Sequence, residues 1–328
     1  MKVVHIHRPA RSGGYSIETI FKTIAVEMRN LGISVTDYEL RTSLRLPEDF
    51  VNLRRLDADI YHVTGDVNYW IAMLPKGKTV LTIHDVGHYL FGLAGWRKAL
   101  YRWFWLTMPI RLASRVTVVS DATKRDLKTY LGVALESTDV VENCYSSAFF
   151  PRIKQFNKKC PRILQIGTGK NKNVLRLIQA LEGITCGLVL IGRMNADILA
   201  SLHSVGIPYE NYVDISQDEM AEQYALADLV SFVSTSEGFG MPIIEAQVMS
   251  KALITANLPP MSMVAGPEAC LVDPLSVDSI RTGIVNLIED EAYRARTIAF
   301  GLRNVDRFSV SKVANRYLEI YRSLVPPI

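Results

Sequence analysis

Apolar residues along this chain gather in short runs separated by stretches with a helical repeat. Lys2–His7, Asp59–Val63, Thr79–His84 and Arg115–Val119 are compact and rich in β-branched residues, so each predicts a buried strand, with another around Ser34–Leu40. Ser16–Leu31 and Asp121–Leu131 repeat apolar positions three and four apart and predict helices. The first is preceded by a Gly13-Gly14 turn and ended by Gly32. Alternation of this kind argues for a parallel, doubly wound sheet. It breaks at Ser146–Arg162, where Phe149-Phe150 and the cluster Lys154, Lys158 and Lys159 show no period, and this stretch reads as an interdomain linker. The alternation restarts with strand Ile163–Ile166, a glycine turn, helix Val174–Leu181 and strand Gly187–Ile191. Helix Asp218–Ala227, strand Leu229–Val233, a helix from Gly240 to Met249 and strand Ala252–Thr255 follow, and two helices are expected to close the chain. Two consecutive Rossmann-like halves, residues 1–150 and 151–328, are the simplest account.

With 328 residues, 48% of them apolar, the chain can bury two cores, which excludes disordered and collagen-like classes. Its 37 basic and 33 acidic residues are too evenly matched for nucleic-acid binding on charge alone. Cys144, Cys160, Cys186 and Cys270 lie far apart without a CxxC pair and read as free thiols of a reducing cytosol. Val3–Ile6 is shorter than the apolar core of a secretion signal, and no run of about 18 apolar residues exists to span a bilayer. A cytoplasmic protein, soluble or peripheral on the inner face of the membrane, is expected.

Within Gly95–Arg115 a helical wheel puts Trp96, Leu100, Trp103, Thr107 and Ile110 on an inward face. Lys98, Tyr101, Arg102 and Trp105 fall on the other, where aromatics beside cations suit an anionic membrane surface. A solvated face with Trp105 partly covered is the alternative, and Pro109 shortens any helix.

The most informative segment is Ser234–Glu245, which follows an apolar strand. Gly238 and Gly240 permit a sharp turn, and Pro242 fits the first turn of a helix, whose N-terminus favours an anion such as a diphosphate. Glu237 sits before the turn and Glu245 within the first two helical turns, so both can face one ligand. On spacing alone, a turn carboxylate and a solvated helix residue fit equally well. Three rival signals are weaker. Asp57-Ala58-Asp59 has the form of a metal-binding DxD but precedes a strand in the wrong context. His84 and His88 have i, i+4 spacing without a third ligand. GTGKNKN lacks P-loop spacing, and no GxGxxG occurs.

EGFGMPIIEA, with its two glutamates, closely resembles the signature of glycosyltransferase family 4. Other segments agree in order: Gly13-Gly14 after the first strand, His84-Asp85 ending TIHD, VSDATKRDL, Asn143 in VVENCY, Lys172-Asn173 in IGTGKNKN, and LVDP at Leu271–Pro274. The resemblance covers nearly the whole chain. It implies the GT-B fold, two Rossmann-like α/β domains facing each other across a cleft. The N-terminal domain would bind acceptor and the C-terminal domain nucleotide sugar, with the last helix, about 309–324, packing back on the N-domain. It further implies a retaining, metal-independent hexosyltransferase without a cofactor, moving sugar from a UDP-sugar or GDP-mannose to a glycan or lipid-linked glycan in bacterial surface-polysaccharide synthesis. Under it, Lys172 would neutralise the diphosphate and the Gly238, Phe239, Gly240 and Met241 turn would complete the cradle. Glu237 would contact the donor sugar, Glu245 the ribose, and His84 the reacting sugar, with Gly13 and Gly14 near phosphate or acceptor. Thr168 replaces the Arg found in many relatives, which shifts charge onto Lys172 with Lys170 or Arg193 assisting. Ser262-Met263 replaces a common Pro-Glu, and Cys144 a common Gly. A glycan phosphorylase or sugar-nucleotide epimerase of related fold, and a non-catalytic nucleotide-sugar-binding partner, are the alternatives.

Overall fold

All strand pairings are parallel, so each strand needs a crossover to reach the next, and this sets the spacing of the apolar runs. The computed structural model describes residues 1–9, 16–41, 46–132 and 138–325, and the chain divides into two units, Met1–Ser146 with Phe308–Ile328, and Ser147–Arg307.

The first unit contains β1 (Lys2–His7), α1 (Ser16–Asn30), β2 (Ser34–Glu39), α2 (Leu46–Arg55), β3 (Ile60–Val63), β4 (Thr79–Ile83) and α3 (Gly87–Phe91). It continues through α4 (Gly95–Tyr101), α5 (Met108–Leu112), β5 (Arg115–Val118), α6 (Asp121–Leu131) and β6 (Thr138–Val140). Its sheet runs β2-β1-β3-β4-β5-β6, so the winding reverses between β1 and β3.

The second unit contains β7 (Arg162–Ile166), α7 (Val174–Ala180), β8 (Gly187–Ile191), α8 (Ala196–Val205), β9 (Tyr209–Tyr212), α9 (Gln217–Leu226) and β10 (Leu229–Phe232). It continues with α10 (Met241–Val248), β11 (Ala252–Ala256), α11 (Met261–Ala265), β12 (Cys270–Val272), α12 (Val277–Glu289) and α13 (Glu291–Asn304). Its order, β12-β11-β10-β7-β8-β9, reverses between β7 and β10. Both are doubly wound α/β sheets, and in each the loops after the two strands flanking the reversal open the crevice where such sheets bind ligands. Three helices close the chain instead of two. Asp290 ends α12 and caps α13 by accepting the Tyr293 N–H at 2.8 Å, and α14 (Val310–Leu324) follows.

The faces of the first sheet differ in chemistry. Val4, Ile6, Val63, Leu81, Ile83 and Val118 pack one face against Trp70, Leu106, Ile110, Leu127 and Leu131. On the other, His5, His62, Thr82 and Thr117 lie buried beneath α1 and α14. Buried polar groups need partners, and α14 supplies them. The Tyr321 hydroxyl lies 3.2 Å from His5 Nε2 and 2.6 Å from His62 Nδ1, and His62 Nε2 is 2.7 Å from Thr82 Oγ1. Phe21 of α1 meets the His62 ring edge-on at 5.1 Å.

The wheel drawn for Gly95–Arg115 is corrected by the backbone. A π-helical turn over Arg102–Thr107 separates α4 from α5, and its wider repeat breaks the phase that a 3.6-residue period assumes. Trp96 and Trp103, expected inward, are 72% and 50% exposed, and Leu100 is also exposed. Tyr101 and Trp105, expected outward, stack at 5.5 Å and pack on the core, Trp105 against Tyr69. Lys98 lies over the Tyr89 ring, and Arg102, though exposed, donates to the Leu131 carbonyl. Thr107 and Ile110 are buried as the wheel requires.

Tyr321→Phe removes the hydroxyl between two buried imidazoles. It is expected to lower stability by about 1–3 kcal/mol in urea unfolding, whereas Tyr130→Phe, at an exposed ring, changes little. Equal stabilities would show that the bridge does not hold α14.

Candidate active site

In the second unit the two loops at the reversal are tied by side chains from both. Gly167 follows β7, and its φ of +84° is open to glycine. A Cβ there would sit 2.8 Å from Lys172 Cε, so the lysine stem lies on the bare Cα. The ammonium is thereby aimed at Glu237, donating to Oε1 at 2.6 Å, and it also lies 4.7 Å from the centroid of the Phe232 ring. Asn171 Nδ2 donates to the same Oε1 at 3.2 Å and to the Ser236 carbonyl at 2.9 Å, while its own carbonyl accepts the Thr235 N–H at 2.8 Å. Asn173, with φ +60°, donates Nδ2 to the carbonyls of Val233 and Pro274, which fastens the lysine turn to both the end of β10 and the LVDP segment.

Glu237 leads through Gly238 and the buried Phe239 into Gly240, whose φ of +114° turns the chain into α10 with Met241 and Pro242 in the first helical turn. A Cβ on Gly240 would meet Ile243 Cδ1 at 2.9 Å. Within α10, Glu245 accepts the Tyr224 hydroxyl at 2.6 Å. Burial pushes its carboxyl up to about 7, against the pull of Tyr224 and the Lys172 charge. Lys172, Glu237 and Glu245 are thus gathered at one sheet end. Thr168 donates to the Arg193 carbonyl at 2.6 Å, supporting the Gly192 turn, but the Arg193 guanidinium is 81% exposed and paired with Asp214. Lys170 is exposed beside them.

In the first unit His84 follows β4. Its Nε2–H donates to the Thr64 carbonyl at 2.7 Å, which leaves the lone pair on Nδ1. Burial lowers its pKa despite Asp85 and Asp66, so the ring is neutral near pH 7. A Cβ on Gly65 would crowd the ring at 3.1 Å, so the glycine lets it seat. At the end of β1, Arg8 pairs with Glu18 and donates to Asp66 at 3.1 Å. Gly13 and Gly14 lie outside the described residues. Asp57 and Asp59 sit at the opposite, N-terminal end of β3, where Asp59 accepts the Lys2 N–H. His88 is exposed and packs on Tyr101. Sequence reasoning missed Asn171, Tyr224 and Arg8. The first stands in the motif beside Lys172, whereas nothing local marks Tyr224 as the partner of a residue 21 positions on.

The profile described as Glycosyltransferase Family 4 matches residues 4–148, and the one described as Glycosyl transferases group 1 matches residues 146–303. The chain is 25% identical over 238 residues to the O-antigen chain mannosyltransferase B of Escherichia coli, covering 65% of this chain and 61% of that protein. It therefore spans about three fifths of that relative's length. Sucrose-phosphate synthase from Thermosynechococcus elongatus superposes with a TM-score of 0.77 at 16% identity, covering 98% of each chain. Anabaena HepE in complex with UDP and glucose superposes at 0.74, again at 16% identity, covering 98% of this chain and 100% of that one. The chain belongs to the family 4 glycosyltransferases and has the GT-B fold.

The raised Glu245 carboxyl has a thermodynamic consequence. Between the ordinary value of 4.5 and about 7, the folded protein holds a proton that the unfolded chain has released, so stability falls as pH rises through that window. Denaturant midpoints on either side of it are expected to show the fall in the wild type and a flatter profile in Glu245→Gln; parallel profiles would refute the assignment.

Proposed function

We propose that this chain is a retaining hexosyltransferase that moves a sugar, mannose foremost, from a nucleoside-diphosphate donor to a hydroxyl of a glycan or lipid-linked glycan in surface-polysaccharide synthesis. The observation that carries this reading is the Lys172–Glu237–Asn171 linkage across the reversal of the second sheet, with Glu245 on the helix that follows. The mannosyltransferase relative supports the choice of sugar, and the UDP-bound neighbour supports a nucleotide donor.

In this reading the donor diphosphate meets the Lys172 ammonium and the positive end of α10 at Gly238–Met241. Glu237 hydrogen-bonds hydroxyls of the donor sugar and Glu245 accepts from the ribose. As the sugar–phosphate bond breaks, Lys172 stabilises charge growing on the leaving oxygen. That oxygen takes the proton of the acceptor hydroxyl attacking from the same face, so configuration is retained. Neutral His84 of the first unit, its orientation fixed by Thr64, is assigned the contact with the reacting sugar in this proposal. Lys172 supplies the charge that a divalent cation supplies in DxD enzymes, so added Mg²⁺ or Mn²⁺ leaves the rate unchanged.

A lipid-linked acceptor agrees with the exposed Trp96, Leu100, Trp103 and Phe104, accompanied by Arg97 over Trp96 and Arg111 near Trp103. Apolar and aromatic groups beside cations suit an anionic bilayer surface. Among the described residues no helix is long and apolar enough to cross a membrane.

Lys172→Ala and Glu237→Ala are each expected to lower turnover roughly tenfold or more, about 1.4 kcal/mol of barrier. Wild-type turnover in both variants would refute the site, and conversion of donor without any acceptor would refute the transfer reaction. Vesicles of phosphatidylcholine with phosphatidylglycerol should co-sediment the wild type, and Trp96→Ala with Trp103→Ala should release it. Equal binding by the double variant would move the membrane contact elsewhere.

A further inference from the structure

His5 and His7 stand two apart on β1 and point to the same face of the sheet, and Asp37 is the register partner of His5 on β2. His7 Nε2 is 2.9 Å and His5 Nδ1 3.8 Å from Asp37 Oδ1, and the three ligand-type atoms lie within 4.8 Å of one another. His5 is fully buried, yet its Nδ1 has no hydrogen-bond partner.

One order of donors satisfies the polar row. In it Thr117 Oγ1 donates to the Leu81 carbonyl, Thr82 donates to Thr117, and His62 Nε2–H donates to Thr82. Tyr321 then donates to His62 Nδ1 and accepts from His5 Nε2–H, so the chain of donors ends with a lone pair on His5 Nδ1. A buried lone pair facing a carboxylate oxygen is unfavourable unless a cation lies between them.

We propose that His5, His7 and Asp37 bind a divalent transition-metal ion of the zinc class. Two imidazoles and one carboxylate are ligands that zinc accepts, with water completing a tetrahedron. Zinc holds such ligand atoms at about 2.0–2.2 Å, and three atoms within 4.8 Å of one another lie within reach of a single ion. The outer partners match those of metal sites: the second nitrogens of His5 and His7 face the Tyr321 and Thr64 hydroxyls, and Arg29 holds the other Asp37 oxygen. Metal at His7 Nε2 moves that ring's proton to Nδ1, where it donates to Thr64 Oγ1, whose own hydrogen goes to the Ile6 carbonyl 3.0 Å away. No proton is gained or lost. Partly exposed Asp37 gives the entry path. The ion ties β1 to β2 and takes no part in sugar transfer.

The full-length protein, stripped of metal, is titrated with Co²⁺ and separately with Zn²⁺. The wild type is expected to bind about one equivalent of Co²⁺ with the visible absorption of a tetrahedral site, displaced by Zn²⁺, and to melt higher with Zn²⁺. Asp37→Asn and His7→Gln are expected to bind roughly tenfold or more weakly while keeping the wild-type circular dichroism. Folded wild type that gives no cobalt spectrum overturns the site, whatever the variants do. Equal cobalt binding by wild type and Asp37→Asn overturns it as well.

Discussion

An ammonium and a carboxylate 2.6 Å apart hold together the two loops at the reversal of the second unit's sheet. Lys172 and Glu237 are only 22% and 14% exposed, so each would be a costly isolated charge, and each makes the other tolerable. Glycine at 167 gives the lysine stem its seat, and Asn171 and Asn173 lock the turn against the end of β10. Under the proposed function, a diphosphate entering this site would compete with Glu237 for the lysine, and the displaced carboxylate would then meet the hydroxyls of the attached sugar.

The architecture was largely legible from the chain because parallel strands buried on both faces are short, mostly apolar runs. Gly187–Ile191 and Ala252–Ala256 are of this kind. Among the elements overlooked, β9 is the partly exposed edge segment YENY, and β6 and β12 have only three residues each. α8 did carry end signals, since Asn195 caps it and Gly206 ends it in a left-handed conformation. In the site, Lys172, Glu237 and Glu245 came from motif resemblance. The tie between the first two came only from the fold, because 65 residues separate them.

Two features of the first unit lay outside any local pattern. A wheel with 3.6 residues per turn cannot anticipate a π-helical turn, and around that turn Trp96, Leu100 and Trp103 face out while Tyr101 and Trp105 pack inward. The polar residues within β1, β3 and β4 read as interruptions of core strands until α14, 235 to 316 residues away in sequence, brings Tyr317 and Tyr321 over them. Hydrogen bonding then makes a polar interior compatible with burial, with His5 Nδ1 left without a partner.

The central claim, that Lys172 and the turn into α10 form a nucleoside-diphosphate site, is tested most directly by calorimetric titration of the protein with UDP, GDP, ADP and TDP, repeated on Lys172→Ala. Saturable binding of at least one nucleotide by the wild type, lost or greatly weakened in the variant, is the predicted result. Binding of equal strength to both proteins, or no binding of any of the four to folded wild type, would contradict it.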